Sequence, residues 1–213
     1  MDYIALFLGK CYIINRLFAG RRTVLNKTKR KIFQIAIKLF SEKGYDNTSI
    51  EEITAVAGVA KGSLYYHFSK KEDIFDLLLE EGMNLLRNSI EIKTKNCKTA
   101  LDKIKAVILI QIKVSVLYED LLNVVFSEMW GKESKNIKCQ NAVNEYINLI
   151  KDIIKDGISR GEFYDGDVDA LAAGVFGVAY SSLIYRIRQK EKIDIDKVYN
   201  GFIDTIVRGI SKK

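Results

Sequence analysis

The stretch from Thr48 to Lys71 constrains the fold most, because it reads as two short helices joined by a tight corner. Thr48 or Ser49 can cap the first helix, with Glu51 or Glu52 three residues on to close a capping box. Ile50, Ile53 and Ala57 then share one face at helical spacing. Gly58 supplies the left-handed backbone that a sharp helix end requires. Val59 and Leu64 can pack back onto Ile53, and Phe68 falls one turn beyond Leu64. Those anchors leave Lys61, Gly62, Ser63, Tyr65, Tyr66 and His67 pointing outward. A cation, small residues for close approach and hydroxyls suited to phosphate oxygens make the face of a helix that enters a major groove.

The run Gly58-Val59-Ala60-Lys61-Gly62-Ser63-Leu64-Tyr65-Tyr66-His67-Phe68, followed by Lys70-Lys71-Glu72-Asp73-Ile74, resembles the DNA-binding domain of TetR-family transcriptional regulators. The resemblance extends over about residues 28 to 80. Two positions depart from the family pattern. Ala60 stands where a capping serine is frequent, a difference of about 1 kcal/mol at most. Thr54 stands where alanine is usual in a tightly packed helix. Neither lies on the outward face. The resemblance implies an all-α protein: an N-terminal three-helix helix-turn-helix domain and a larger C-terminal helical domain for ligand binding and dimerisation. The expected division is an extension over 1–27, the DNA-binding domain over 28–75 and the effector and dimerisation domain over 76–213.

Net charge agrees with a polyanionic partner at one end of the chain. The formal charge of +7 is concentrated in residues 1 to 31, which hold eight cations against Asp2 alone. The remainder carries 26 cations and 26 anions. Residues 1 to 27 have three readings. They form a poorly ordered tail or an over-long reading frame, an amphipathic segment packed on the body or a partner, or a basic arm from Arg21 to Lys31 that neutralises phosphates. The apolar run from Tyr3 to Ala19 is interrupted by Lys10 and Arg16, is too short for a membrane span, and lacks the leading cations of a signal peptide. Cys11, Cys97 and Cys139 are odd in number and lack metal-ligand spacing, so neither a disulfide framework nor a metal site is expected and a reducing cytoplasm is. No proline interrupts the chain, as suits long helices.

Beyond the central stretch, apolar periodicity predicts helices over Thr28–Lys43, Lys70–Ile92, Lys98–Tyr118, Leu121–Gly131, Lys135–Arg160, Asp167–Gln189 and Ile195–Ser211. Ile32, Phe33, Ala36, Leu39 and Phe40 form the buried stripe of the first, which Gly44 terminates. Ser69 with Glu72 forms a capping box for the helix after Phe68. The segment Gly157-Ile158-Ser159-Arg160-Gly161-Glu162-Phe163 before an alanine-rich helix also loosely resembles TetR-family C-terminal domains. In that helix Ala170, Ala173, Gly174, Gly177 and Ser181 make one face nearly bare of side chains. Such a face suits close packing inside the subunit or, as the family would have it, against its mate in a two-fold homodimer. A membrane pair is disfavoured, since the uncharged run from Ala170 to Tyr185 is only 16 residues.

The family's mode of action then sets roles. Thr48, Ser49, Tyr65, His67 and Lys71 are assigned to phosphates of double-stranded DNA, Lys61, Gly62 and Tyr66 to base edges, and Ser63 to either. A dimer reads a palindromic operator, and a repressor is released from it by a small molecule. Gln111, Ser115, Phe126, Trp130 and Tyr146 are candidates for the effector pocket. With no obvious inward charge among them, a neutral or weakly polar effector is expected. No cofactor and no catalytic residue are expected. His67 is the sole histidine and lies on the reading helix, which weighs against a metal motif or a nucleophilic triad. The rival reading is a helical protein–protein adaptor without DNA binding; it leaves the outward face from Lys61 to Lys71 unexplained.

Overall fold

A computed structural model describes residues 27–129, 133–189, 193–207 and 209. The expectations for residues 1–26 and for Trp130 lie outside the described residues. The regular elements of the described chain are all helices: α1 (Lys27–Lys43), α2 (Ile50–Ala57), α3 (Lys61–His67), α4 (Lys71–Thr94), α5 (Ala100–Leu117), α6 (Glu119–Ser127), α7 (Ser134–Ser159), α8 (Val168–Arg188) and α9 (Ile195–Phe202). A π-helical turn, Ile203–Val207, follows α9 where continuous α-helix to Ser211 was expected. The helix expected to reach Gly131 instead ends at Ser127. The chain forms two compact units, and they do not follow sequence order. One comprises 1–85 and 120–140; the other comprises 86–119 and 141–213.

In the first unit, α1 buries Ile32, Phe33, Ala36, Leu39 and Phe40, the stripe that period 3.6 predicts. Phe40, Tyr45 and Phe75 continue it as an aromatic run with ring centroids 5.0 and 5.1 Å apart. Gly44 takes φ 87° and turns the chain out of α1. Residues 120–140 are bolted to this unit by polar contacts. Ser41 donates to Asp120 at 3.1 Å and Lys138 pairs with Asp76 at 2.6 Å. Lys135 is buried; it pairs with Asp46, and with Glu128 and Glu133 at 3.3 and 3.4 Å. Burial pulls the Lys135 ammonium down, but hydrogen bonds to Asp46 and Glu128 outweigh it and hold it above its ordinary range.

In the second unit, α5 is buried along Ile104, Val107, Ile108 and Ile112. Ala172, Val175, Ala179 and Leu183 are the buried residues of α8, as Tyr146, Ile150 and Ile154 are of α7. The α7–α8 connection is built around Gly157. The backbone N–H groups of Glu162 and Phe163 both donate to its carbonyl, at 2.8 and 3.2 Å, and Gly161 adopts φ 72°. Phe163 folds back so closely that a Cβ on Gly157 would lie 2.2 Å from its ring. The carboxylate of Asp167 then accepts from Asp169 and Ala170 N–H and opens α8 as expected.

The small-residue face of α8 points away from this core. Ala170, Ala173, Gly174 and Ser181 are exposed, Gly177 is half-buried, and a Cβ on Gly174 or Gly177 would meet no atom of the described residues within 4 Å. By length and composition alone, Val168–Arg186 is apolar enough to cross a bilayer, although the uncharged run within it is shorter. Only 22% of that apolar stretch is buried within the chain, so the helix retains surface for another apolar body.

Candidate nucleic-acid interface

The corner from α2 to α3 is set by backbone hydrogen bonds. Ser49 is the cap of α2: its Oγ accepts from Glu52 N–H at 3.1 Å. The box is half formed, because the Glu52 side chain accepts from Lys43 instead. Gly58 sits at φ 59°, ψ 43°, and its N–H and that of Val59 reach the carbonyls of Ala55 and Thr54, both at 3.1 Å. Thr54 is buried without leaving its hydroxyl orphaned, since it donates to Glu51 O at 2.9 Å. Ala60 begins α3 with no side-chain cap bond, as the missing serine implied. Leu64 and Phe68 are buried beneath α3, alongside Ile53.

That anchoring turns the rest of α3 outward. Tyr66 is 83% exposed, Tyr65, Lys61 and Gly62 are exposed, and Ser63 and His67 are half-buried. The Tyr66 and His67 rings meet edge to face at 4.9 Å. A Cβ on Gly62 would meet nothing among the described residues within 4 Å, so their packing does not require glycine there. Lys61 is drawn back across the corner onto Glu51, and its ammonium lies 5.9 Å from the Tyr65 ring centroid. Hydrogen bonding between the pair holds Lys61 above and Glu51 below their ordinary ranges.

Thr48 and Lys71, which the family's mode of action assigned to phosphates, turn their polar groups onto the chain itself. Thr48 is 1% exposed, and its hydroxyl donates to Gly44 O at 2.9 Å. The Lys71 ammonium donates to the carbonyls of Tyr45 and Thr48, at 2.8 and 2.9 Å, and rests 4.3 Å from the Tyr45 ring centroid. Burial lowers its pKa. Both residues clamp the turn before α2, because the carbonyls exposed by a tight turn need donors. The box expected at Ser69 is also built otherwise: the Asp73 carboxylate accepts from Ser69 and Lys70 N–H at 2.8 and 3.2 Å. Two cations outside the assigned set join the surface. Lys29 of α1 lies over the Phe68 ring at 5.1 Å, and Lys31 lies 3.8 Å from where a Gly58 Cβ would be. Their place in a basic run was the available sequence signal.

The residues considered for an effector are partly gathered. Tyr146 donates its hydroxyl to Gln111 Oε1 at 3.1 Å, and Gln111 Nε2 donates to Phe176 O at 3.0 Å. Ser115 is buried one turn further along α5. Phe126 belongs to the other compact unit. Gln111, Ser115, Phe126 and Tyr146 do not line a cleft of about 660 Å³ in the second unit, which has Ile90, Leu149 and Ile153 as apolar wall and Arg87, Lys103 and Glu145 among its polar residues.

Comparison with known proteins agrees with this geometry. Residues 32–78 match the family of bacterial regulatory proteins described as the tetR family, and residues 83–212 match the C-terminal region of QacR-like proteins. The fatty acid metabolism regulator protein of Bacillus subtilis is 28% identical over 86% of this chain and 95% of its own. The transcriptional regulator QacR of Staphylococcus aureus is 26% identical over 86% of this chain and 98% of its own. Among solved structures, a Clostridium perfringens protein provisionally named a fatty acid metabolism regulator superimposes with a TM-score of 0.79 at 30% identity, covering 86% of this chain and all of that one. FadR of Bacillus subtilis, solved with stearoyl-CoA, gives 0.74 at 25% identity over 84% of this chain and 98% of that one. The chain belongs to the TetR family and is a ligand-responsive, DNA-binding transcriptional regulator.

Proposed function

We propose that the protein is a cytoplasmic repressor that binds a palindromic operator as a two-fold homodimer and is released when a small molecule occupies its second unit. The observation that carries this reading is the outer face of α3. It presents Lys61, Tyr65 and Tyr66 around a glycine with open space above it, over a core that holds the helix rigidly. Lys61, Gly62 and Tyr66 address base edges and Ser49, Tyr65 and His67 address phosphates, with Ser63 serving either. Lys29 and Lys31 add charge, and Thr48 and Lys71 act by holding the turn. One such helix makes few base contacts, so useful specificity needs a second copy.

The bare face of α8, with exposed Val178 and Tyr185 beside it, is the surface on which that copy docks. The effector is a neutral or weakly polar molecule. The buried Tyr146–Gln111 pair is neutral, since burial pushes the Tyr146 phenol upward. Stearoyl-CoA, with which a relative was solved, is the contrasting probe: its phosphates are polyanionic, so release of DNA by it would overturn the neutral reading.

The experiment is selection of bound fragments from genomic DNA, followed by footprinting. An inverted repeat with half-sites about one helical turn apart, roughly 34–36 Å, is the expected product. Failure to enrich any inverted repeat at low salt would remove the reading and return the helical adaptor to consideration.

A further inference from the structure

The two acids in the first turn of α2 are each tied to a lysine from a different helix. Glu52 accepts from Lys43 at the end of α1, and Glu51 accepts from Lys61 at the start of α3. The Lys61 and Glu51 side chains are 53% and 64% exposed, and an ion pair that open contributes little to folding. Glu51 also stands beside a surface that is to meet a polyanion, where a bare carboxylate repels every sequence alike. Its presence calls for a role in recognition.

We infer that Glu51 is a positioning residue for DNA reading, one that holds Lys61 towards base edges and penalises duplexes on which Lys61 is drawn away to a phosphate. The inference rests on the assignment of α3 as the reading helix. A lysine ammonium has three donors on a flexible stem. Glu51 engages one and leaves two, enough for the O6 and N7 acceptors of a guanine. On a cognate half-site Lys61 bridges Glu51 and the base, so the carboxylate stays neutralised. On other sequences the ammonium gains a phosphate only by abandoning Glu51, which is then left unpaired against the DNA backbone. Discrimination thus comes partly from a repulsive element.

The test is selection from a randomised duplex pool, read by sequencing, for the parent protein, Glu51→Gln and Lys61→Met. Glu51→Gln is expected to bind random-sequence duplex about 3–10-fold more tightly and to lose about 10-fold of discrimination at one base pair per half-site. Its salt dependence on random duplex steepens by roughly 0.9 per copy as Lys61 takes a phosphate. Lys61→Met loses the same base preference but gains no affinity, and the double variant loses no more preference than either alone. Thermal unfolding unchanged within about 2 °C excludes a merely structural effect. Glu51→Gln with the parent's base preferences and salt slope overturns the inference. A parent protein that enriches no sequence overturns the DNA-reading assignment itself, an outcome distinct from a parent that selects normally and a variant that selects identically.

Discussion

Gly62 on α3, and Gly174 with Gly177 on α8, have no atom of the described residues within 4 Å of where a Cβ would stand, an openness they share with Gly161, Gly201 and Gly209. Gly157 is the counter-example, with Phe163 occupying the space a side chain would need. A filled glycine is explained inside the chain, whereas an open one within a helix lowers helix propensity without any internal gain. What distinguishes the α3 and α8 glycines from one another is the chemistry of their neighbours. Around Gly62 stand a cation and exposed phenols; around Gly174 and Gly177 stand alanines, a serine and Val178. One face suits a hydrated polyanion, the other a dry apolar surface.

Three substitutions test that contrast. Gly177→Leu should act most strongly. It leaves the fold intact but blocks close approach of the second copy, giving monomers in sedimentation velocity and a loss of operator affinity of at least about 100-fold, since joint engagement of two half-sites is lost. A dimeric Gly177→Leu would show that the mate docks elsewhere. Gly62→Leu comes next: about 0.5 kcal/mol of extra stability from helix propensity, less than in a helix interior because Gly62 is the second residue of α3, with operator affinity in a mobility-shift assay falling some 10–100-fold. Normal binding by this variant would separate Gly62 from the DNA. Gly157→Ala should do the reverse of both. We expect a stability loss of about 1–3 kcal/mol in denaturant titration, with little change in affinity of the folded fraction.

Other positions show what sequence reading can reach. Periodic features were legible: the stripe from Ile32 to Phe40, the left-handed corner at Gly58, the weak start at Ala60 and the cap at Asp167. Each depends on residues within about one helical turn. The misplacements concern side chains whose direction is decided across long separations. Lys71 reaches back 26 residues to Tyr45 O, a partner that spacing alone does not reveal. Thr48 is exposed by pattern but buried by the turn it closes. Gln111 and Tyr146 were singled out for an effector and are in direct contact, yet their hydrogen bonds are spent on each other and on Phe176 O. Phe126 falls among residues 120–140, which join the first unit, and no local signal announces that return.

One cation of the first unit joins stretches far apart in sequence: Lys135 pairs with Asp46 and lies 4.7 Å from the Tyr45 ring, whose carbonyl is held by Lys71. The turn that leads into the reading corner is thus fastened by a residue 89 positions downstream of Asp46. A ribosome that has made only the first eighty-five residues has not yet delivered that fastening, so the corner is completed late in synthesis.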